Sequence, residues 1–431
     1  MKKMLIIIIV LTVSLLSAIN LEQAKELGLE NNLTYQNIVN SKKSATASKL
    51  QAYSAILPSV VASGSYSGED LDLEDTNYSL RLTQPLIQGG TILYGMKIAN
   101  SQEDVAENNI SNAKVELLAE VENKYYSVLE AKALLDVAQK DLDRAELQYN
   151  SAEIKYRLGA ISTSEFMQFQ LDRSQNDVAL FTSEKTYKTA LKEFNNYLGT
   201  SAKEPEIIEM ESPFAEAKEI SNLNIKSIEK INENLNNLIM KQNYSVLNSE
   251  ENLTLSKSYL RQSQTSFLPS VDFSISKNWD NNSLTEGLED SETFSLNFSL
   301  PIFPLVDKGL STQTKKYDYL NSENNLQETK DSVQLQTESI WLDLVASSKN
   351  LIASEISLNY AGALYDQATV EFQLGDLSSS DYLESSISLS NVETQYYSAI
   401  YSYLRIKSNL NKLLCVKDYS TLNEIIFQGV K

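Results

Sequence analysis

The sequence predicts a mostly α fold with a membrane β-barrel, built from one helix–β-hairpin–long helical hairpin unit that the chain makes twice. Three observations predict it. Glycine and proline are scarce, 13 and 7 in 431 residues, so long helices can run unbroken. Two stretches, 58–87 and 269–304, leave the helical period for alternation of apolar and polar residues. One turn recurs, as Tyr156-Arg157-Leu158-Gly159-Ala160-Ile161-Ser162 and as Phe372-Gln373-Leu374-Gly375-Asp376-Leu377-Ser378, with Gly159 and Gly375 lying 216 positions apart. Glycine tolerates the left-handed conformation that ends a helix, and serine caps the next one. Each copy therefore reads as a sharp reversal between two antiparallel helices.

In chain order, Lys2 and Lys3 precede an apolar run from Leu5 to Leu16 and a small-residue exit at Ser17-Ala18. This is the pattern of a secretory signal peptide over residues 1–18. The alternative is an uncleaved anchor, but the run is short of the ~20 residues a spanning helix needs. No cysteine stands at the exit to carry a lipid. No other apolar run is long enough to span as a helix, whereas membrane strands leave a weaker trace.

Residues 19–57 carry helical spacing through Leu21, Ala24, Leu27 and Gly28, a break at Asn31-Asn32, and a second helix to Leu57-Pro58. Residues 58–87 then read as a hairpin. Val60, Ala62, Gly64 and Tyr66 share one face of its first strand, and Tyr78, Leu80 and Leu82 share one face of its second, which ends at Pro85. The turn between them is acidic. Each strand is close to the ~9–11 residues that cross a bilayer when tilted.

Residues 88–199 form the first long helical hairpin, with its tip near Gly159. Its first helix, proline-free from Thr91 to Leu158, would be a rod of about 100 Å. The seam Val128, Ala131, Leu135, Ala138, Leu142, Ala145, Tyr149, Ala152, Tyr156 steps by three and four, a heptad pattern in which alanines let helices approach closely. The return helix carries Leu180, Tyr187, Leu191, Phe194 and Leu198. Residues 200–222, acidic and holding Pro205 and Pro213, read as a linker or a short packed segment.

The elements then recur: helices over 223–268, a hairpin over 269–304, a helical hairpin over 305–415 with its tip near Gly375, and a tail over 416–431. Leu268-Pro269-Ser270 repeats Leu57-Pro58-Ser59, and Pro301 stands 216 positions after Pro85. The same offset carries Leu135, Leu142, Ala145, Tyr149, Ala152 and Tyr156 onto Leu351, Leu358, Ala361, Tyr365, Ala368 and Phe372, Tyr125 onto Trp341, and Leu198 onto Leu414. The second hairpin sets Val271, Phe273, Ile275 and Trp279 against Asp272, Ser274, Ser276 and Asn278, and its last strand alternates most cleanly, with Phe294, Leu296, Phe298, Leu300 and Ile302 set against Ser295, Asn297 and Ser299. Lys277 falls on the apolar side near a strand end, where snorkelling would accommodate it.

Composition excludes several function classes. There is no histidine, so His-dependent triads and the usual zinc sites are absent, and Cys415 has no intrachain partner for a disulfide. No glycine-rich phosphate loop and no isolated acid pair is present; Glu250-Glu251 reads as a solvated helix face. The residues imply no catalytic site, no metal and no cofactor. Net charge is −20, or −22 once the two leader lysines are removed, which disfavours nucleic acid as a partner. The 23 tyrosines suit positions with one apolar and one wet side.

Two readings of the strands stand at this point: ordinary hairpins on a soluble domain, or membrane strands. The aromatic faces, with no spare helix to cover them, favour lipid. Four strands cannot close a barrel. Two chains would give eight strands and a filled interior, and three would give about twelve and a passage. The rods would then make a tube in the oligomer, or, in the rival reading, an exported trimeric coiled-coil stalk, structural or adhesive, without a pore.

The duplicated strand pairs with proline-marked ends, the rods, the Leu-Gly-x-x-Ser tips and the leader together resemble the TolC-type outer membrane efflux proteins, over residues 20 to about 415. The resemblance implies a homotrimer whose 12-stranded β-barrel in the outer membrane is continuous with an α-helical barrel across the periplasm. It implies a passive exit duct, porin-like in being open to water, that serves an inner-membrane efflux or type I secretion pump through a periplasmic adaptor (membrane fusion) protein. It places Arg157, Leu158, Gly159, Ser162, Leu374, Gly375 and Ser378 at the adaptor contact. It also places acids six and nine positions after the second tip glycine, Asp381 and Glu384, around a periplasmic aperture, with Glu165 at the six-on position of the first copy and Gln168 at the nine-on. The other reading of these acids is a first helical turn, where carboxylates favour the dipole. Some members carry a latch arginine two positions after the second tip glycine; here that position is Leu377.

Overall fold

The computed structural model describes residues 19–67, 75–200, 213–281, 288–300, 302 and 305–415. The expected signal peptide, the turn at 68–74, residues 201–212 of the linker, the loop at 282–287, Pro301 and the tail at 416–431 lie outside the described residues.

The elements run α1 (Leu21–Asn31), α2 (Leu33–Ser54), β1 (Ser59–Ser67), β2 (Asp75–Gln88), α3 (Thr91–Arg157), α4 (Thr163–Tyr197), α5 (Phe214–Ser221), α6 (Ile225–Gln242), α7 (Tyr244–Thr265), β3 (Ser270–Asn281), β4 (Leu288–Ser299), α8 (Leu305–Leu374) and α9 (Ser379–Leu414). They fall into two compact units, one within 19–36, 113–239 and 334–415, the other comprising 37–112 and 240–333.

In the first unit, α1 begins with a capping box: the Asn20 side chain accepts from the Gln23 amide at 2.9 Å, and the Gln23 side chain accepts from the Asn20 amide at 3.3 Å. Its Gly28 faces α3, where a Cβ would stand 3.0 Å from Val121 Cγ2. Ala24, Val121, Tyr125, Phe194 and Leu198 form the core there, with the Tyr125 and Phe194 rings edge-on at 5.9 Å. The repeat rebuilds this core. Tyr125 and Trp341, and Leu198 and Leu414, each pair 216 positions apart, are all 0 % exposed. Trp341 satisfies its indole by donating to the Ile228 carbonyl at 3.1 Å, which ties α8 to α6. Along the seam Ala131, Ala138, Ala145, Ala152, Ala361 and Ala368 are buried, while Leu135, Leu142 and Tyr149 are only half so. The alanines therefore mark the closest helix approach.

Charge pairs with one buried member knit the same unit. Glu122 accepts from Lys25 at 2.8 Å and from the Ser408 hydroxyl at 2.5 Å, and Lys407 reaches Glu216 at 2.5 Å. Glu216 belongs to α5, so part of the acidic 200–222 segment is a packed helix, with Ala217 and Ile220 buried.

In the second unit four strands form one antiparallel sheet in the order β1-β2-β3-β4. The two repeats join where β2 pairs β3, from Thr76↔Asn281 to Gln88↔Ser270. β2 does not stop at Pro85. It runs on to Gln88 through a register shift between Pro85 and Ile87, which accommodates the missing proline N–H. Hydroxyl pairs connect α7 to α8: Ser249–Thr329 at 3.0 Å, and Ser256–Ser322 and Ser263–Thr312 at 2.7 Å. The helices expected over 223–268 are α6 and α7, and the pattern breaks between them. Asn243 interrupts it, its side chain accepting from the Ser245 and Val246 amides to cap α7.

Candidate functional site

The sheet has two chemically distinct faces. Registers place Val60, Ala62 and Tyr66 of β1, Tyr78, Leu80 and Leu82 of β2, Val271, Phe273 and Ile275 of β3, and Phe294, Leu296 and Phe298 of β4 on one side. Much of that side is open: Phe294 and Leu296 are each 67 % exposed. The opposite side is lined with hydroxyls, and these pair across strands, Ser63 with Ser79 at 2.6 Å and Ser274 with Ser295 at 2.7 Å. The Gln88 amide bonds Asp272 on that side. Lys277, expected to snorkel, instead pairs with Asp290 at 3.0 Å and Glu292 at 3.1 Å. Among the described residues β1 and β4 are the sheet edges, each with one side unpaired. Among the described residues no helix is long and apolar enough to cross a membrane.

The two tips have the same backbone. Gly159 and Gly375 take φ of 71° and 87°, and a Cβ on either would meet nothing within 4 Å. Glycine is needed there for the sign of φ and not for space. Gly159 donates to the Tyr156 carbonyl at 2.9 Å and Ala160 to Lys155 at 2.8 Å; Gly375 and Asp376 repeat the pair to Phe372 and Glu371 at 3.3 and 2.9 Å. Each tip is thus a Schellman closure, which fixes it rigidly. Ser162 accepts from the Glu165 amide at 3.2 Å, and Ser378 from the Asp381 amide at 3.2 Å. Leu158 and Leu374 stand out at 78 % and 71 % exposure, while Arg157 pairs, among the described residues, with its own helix through Glu153 at 2.7 Å.

Behind the tips lies an aromatic cluster. Phe372 stacks on Tyr382 with centroids 4.5 Å apart and lies 6.0 Å from Phe169, so the first hairpin packs on the second. Leu377, at the latch position, joins this apolar cluster. Arg144 of α3 adds a polar tie, reaching Glu393 of α9 at 3.1 Å and lying over the Tyr365 ring of α8. Sequence reasoning missed Phe169, Tyr382 and Arg144. The apolar spacing that continues past each tip glycine was the available signal for the two aromatics.

The predicted acids are placed individually. Glu165 completes a capping box on Ser162, whose backbone N–H and hydroxyl hold its carboxyl below the usual carboxylate range. Asp381 is exposed and accepts the Ser378 hydroxyl at 2.7 Å; Glu384 is exposed one turn further along α9. Among the described residues no three acids, cysteines or histidines cluster as a metal site would require.

Comparison with known proteins follows this duplication. The family model "Outer membrane efflux protein" matches residues 26–200 and 235–416, one segment per repeat. The outer membrane protein TolC of Salmonella enteritidis is 21 % identical over 452 residues, covering 98 % of this chain and 87 % of that protein. TolC of Escherichia coli K12 is also 21 % identical, over 451 residues, with the same coverage of 98 % and 87 %. Among solved structures, the CmeC outer membrane channel of Campylobacter jejuni matches with a TM-score of 0.77 at 17 % identity, covering 94 % of this chain and 89 % of that one.

Proposed function

The chain belongs to the outer membrane efflux protein family and resides in the outer membrane, and from that premise we propose that three copies close one twelve-stranded barrel and serve as the passive exit duct of a tripartite efflux or type I secretion system. The observation that carries this reading is the four-stranded sheet with one apolar face, one hydroxyl-lined face and two unpaired edges. In hydrocarbon each unpaired N–H or C=O costs several kcal/mol, so the edges need partners. Pairing β4 of one copy with β1 of the next supplies them all the way round. Three copies leave a water-filled interior where two would not. The aromatic face then meets lipid, and the serines and asparagines meet water.

The tips supply the second half of the reading. A rigid closure that presents an exposed leucine, twice per chain, is a surface for a periplasmic adaptor, and the adaptor would link the duct to an inner-membrane pump. Arg157, Leu158, Gly159, Ser162, Leu374, Gly375 and Ser378 make that surface. Threefold symmetry would gather Asp381, Glu384 and Glu165 into acidic rings at the periplasmic opening, raising local cation concentration. Such a duct performs no chemistry of its own.

The test uses cells that lack the chain and retain a dye they would otherwise export. The wild-type chain should restore export. Gly159→Val and Gly375→Val should reach the outer membrane as assembled oligomers yet export poorly, because a β-branched residue resists positive φ. Full export by both variants would overturn the tips as the docking site.

A further inference from the structure

The hydroxyl-lined face of the sheet carries a single guanidinium. Arg81 lies mid-β2, opposite Val61 on β1 and Ser276 on β3, and Ser276 in turn faces Thr293 on β4. Its neighbours along that face of β2 are Ser79 and Thr83. Arg81 is exposed and makes no ion pair among the described residues. The other cation of the strands, Lys277, is on the opposite face and is held by two carboxylates.

This contrast has a physical meaning. A lone arginine facing lipid at mid-membrane costs about 2–4 kcal/mol, so the face that carries Arg81 is the wet one. The nearest acids that the register sets on that face are Asp272 and Asp280, each four residues along β3 from Ser276, hence about 13 Å away, and Asp272 is engaged by Gln88. That separation exceeds the ~8 Å Debye length, so neither acid cancels the arginine at its own level.

We infer that Arg81 is a charge-selecting residue of the barrel interior: three copies form one electropositive ring that favours anionic solutes, set in a duct whose chains are otherwise strongly acidic. This rests on the trimeric-duct reading above. Twelve strands about 4.8 Å apart and tilted ~40° give a wall radius of about 12 Å. An arginine extending inward from that wall brings its charge within about one Debye length of the axis. The ring therefore acts on everything that passes.

The test reads local charge directly. In full-length protein with Cys415→Ser, the substitution Ser276→Cys places a thiol beside Arg81, reached from the cell exterior. Its rates of modification by an anionic sulfonatoethyl and a cationic trimethylammonioethyl thiosulfonate reagent give a ratio. Arg81→Gln should lower the anion-to-cation ratio roughly tenfold, and Arg81→Lys should preserve it. Thr293→Cys, on the same level of β4, should report the same change and guards against a local distortion at Ser276. A ratio that Arg81→Gln leaves within about twofold of wild type at both thiols overturns the ring while the wet face stands. Thiols that react with neither reagent overturn the ring together with the duct reading.

Discussion

Leucine in place of Ala145 or Ala361 tests the repeated seam by the sign of its effect. The two alanines lie 216 positions apart and are 2 % and 6 % exposed. Leucine adds three carbons. If the helices left room, burying them would stabilise the protein by about 0.8 kcal/mol each, roughly 2 kcal/mol in all. If the alanines mark the closest approach, the added carbons force off-rotamer side chains and backbone shifts costing about 1–3 kcal/mol. The half-buried Leu142 and Tyr149 beside the buried Ala145 favour the second case. Helical circular dichroism of the detergent-extracted protein should show both Ala145→Leu and Ala361→Leu unfolding a few degrees below wild type, with Ala145→Ser close to it. A raised midpoint in both leucine variants would refute the close-packed seam and the tube built on it.

Two further outcomes are expected. Burial pushes the Tyr197 and Tyr401 phenols up to about 12, and Tyr403 is raised in the same direction. The folded chain keeps these protons when the unfolded chain loses them near pH 10, so stability is full below about pH 10 and falls as pH rises toward 12. Tyr197→Phe should flatten the pH dependence of the urea midpoint in that window by about one proton, and an unchanged slope would contradict it. At the proposed aperture, Asp381→Asn with Glu384→Gln should reduce cation selectivity in planar bilayers; identical selectivity would remove the acidic ring.

Much of the fold was legible because its signals are local. The tips announce themselves through Gly159 and Gly375, whose positive φ few other residues tolerate, and the sheet faces through the period-two alternation of residues such as Phe294, Leu296 and Phe298. What escaped depends on partners distant in sequence. The pairing of β2 with β3 joins the two repeats, and no turn between them sets its register. Asn243 inside a helical pattern reads equally as a surface residue or a cap until its side chain is seen on the Ser245 and Val246 amides. Lys277 has an ion pair only because β4 brings Asp290 and Glu292 alongside. Lys25 with Glu122, and Lys407 with Glu216, are pairs with one buried and one half-buried member that only tertiary packing unites. At the tips, Glu165 and Asp381 both stand in a first helical turn, which was the other reading of these acids, and Glu165 also completes a capping box; a ring in the trimer would use the same residues.

The central claim is that the open sheet edges are closed by neighbouring copies, and the native mass of the protein extracted from membranes in mild detergent tests it most directly. A complex of three chains that resists dissociation until the detergent is harsh is the expected result. A stable monomer, or protein recovered without detergent, would leave β1 and β4 with unpaired edges in hydrocarbon and would contradict it.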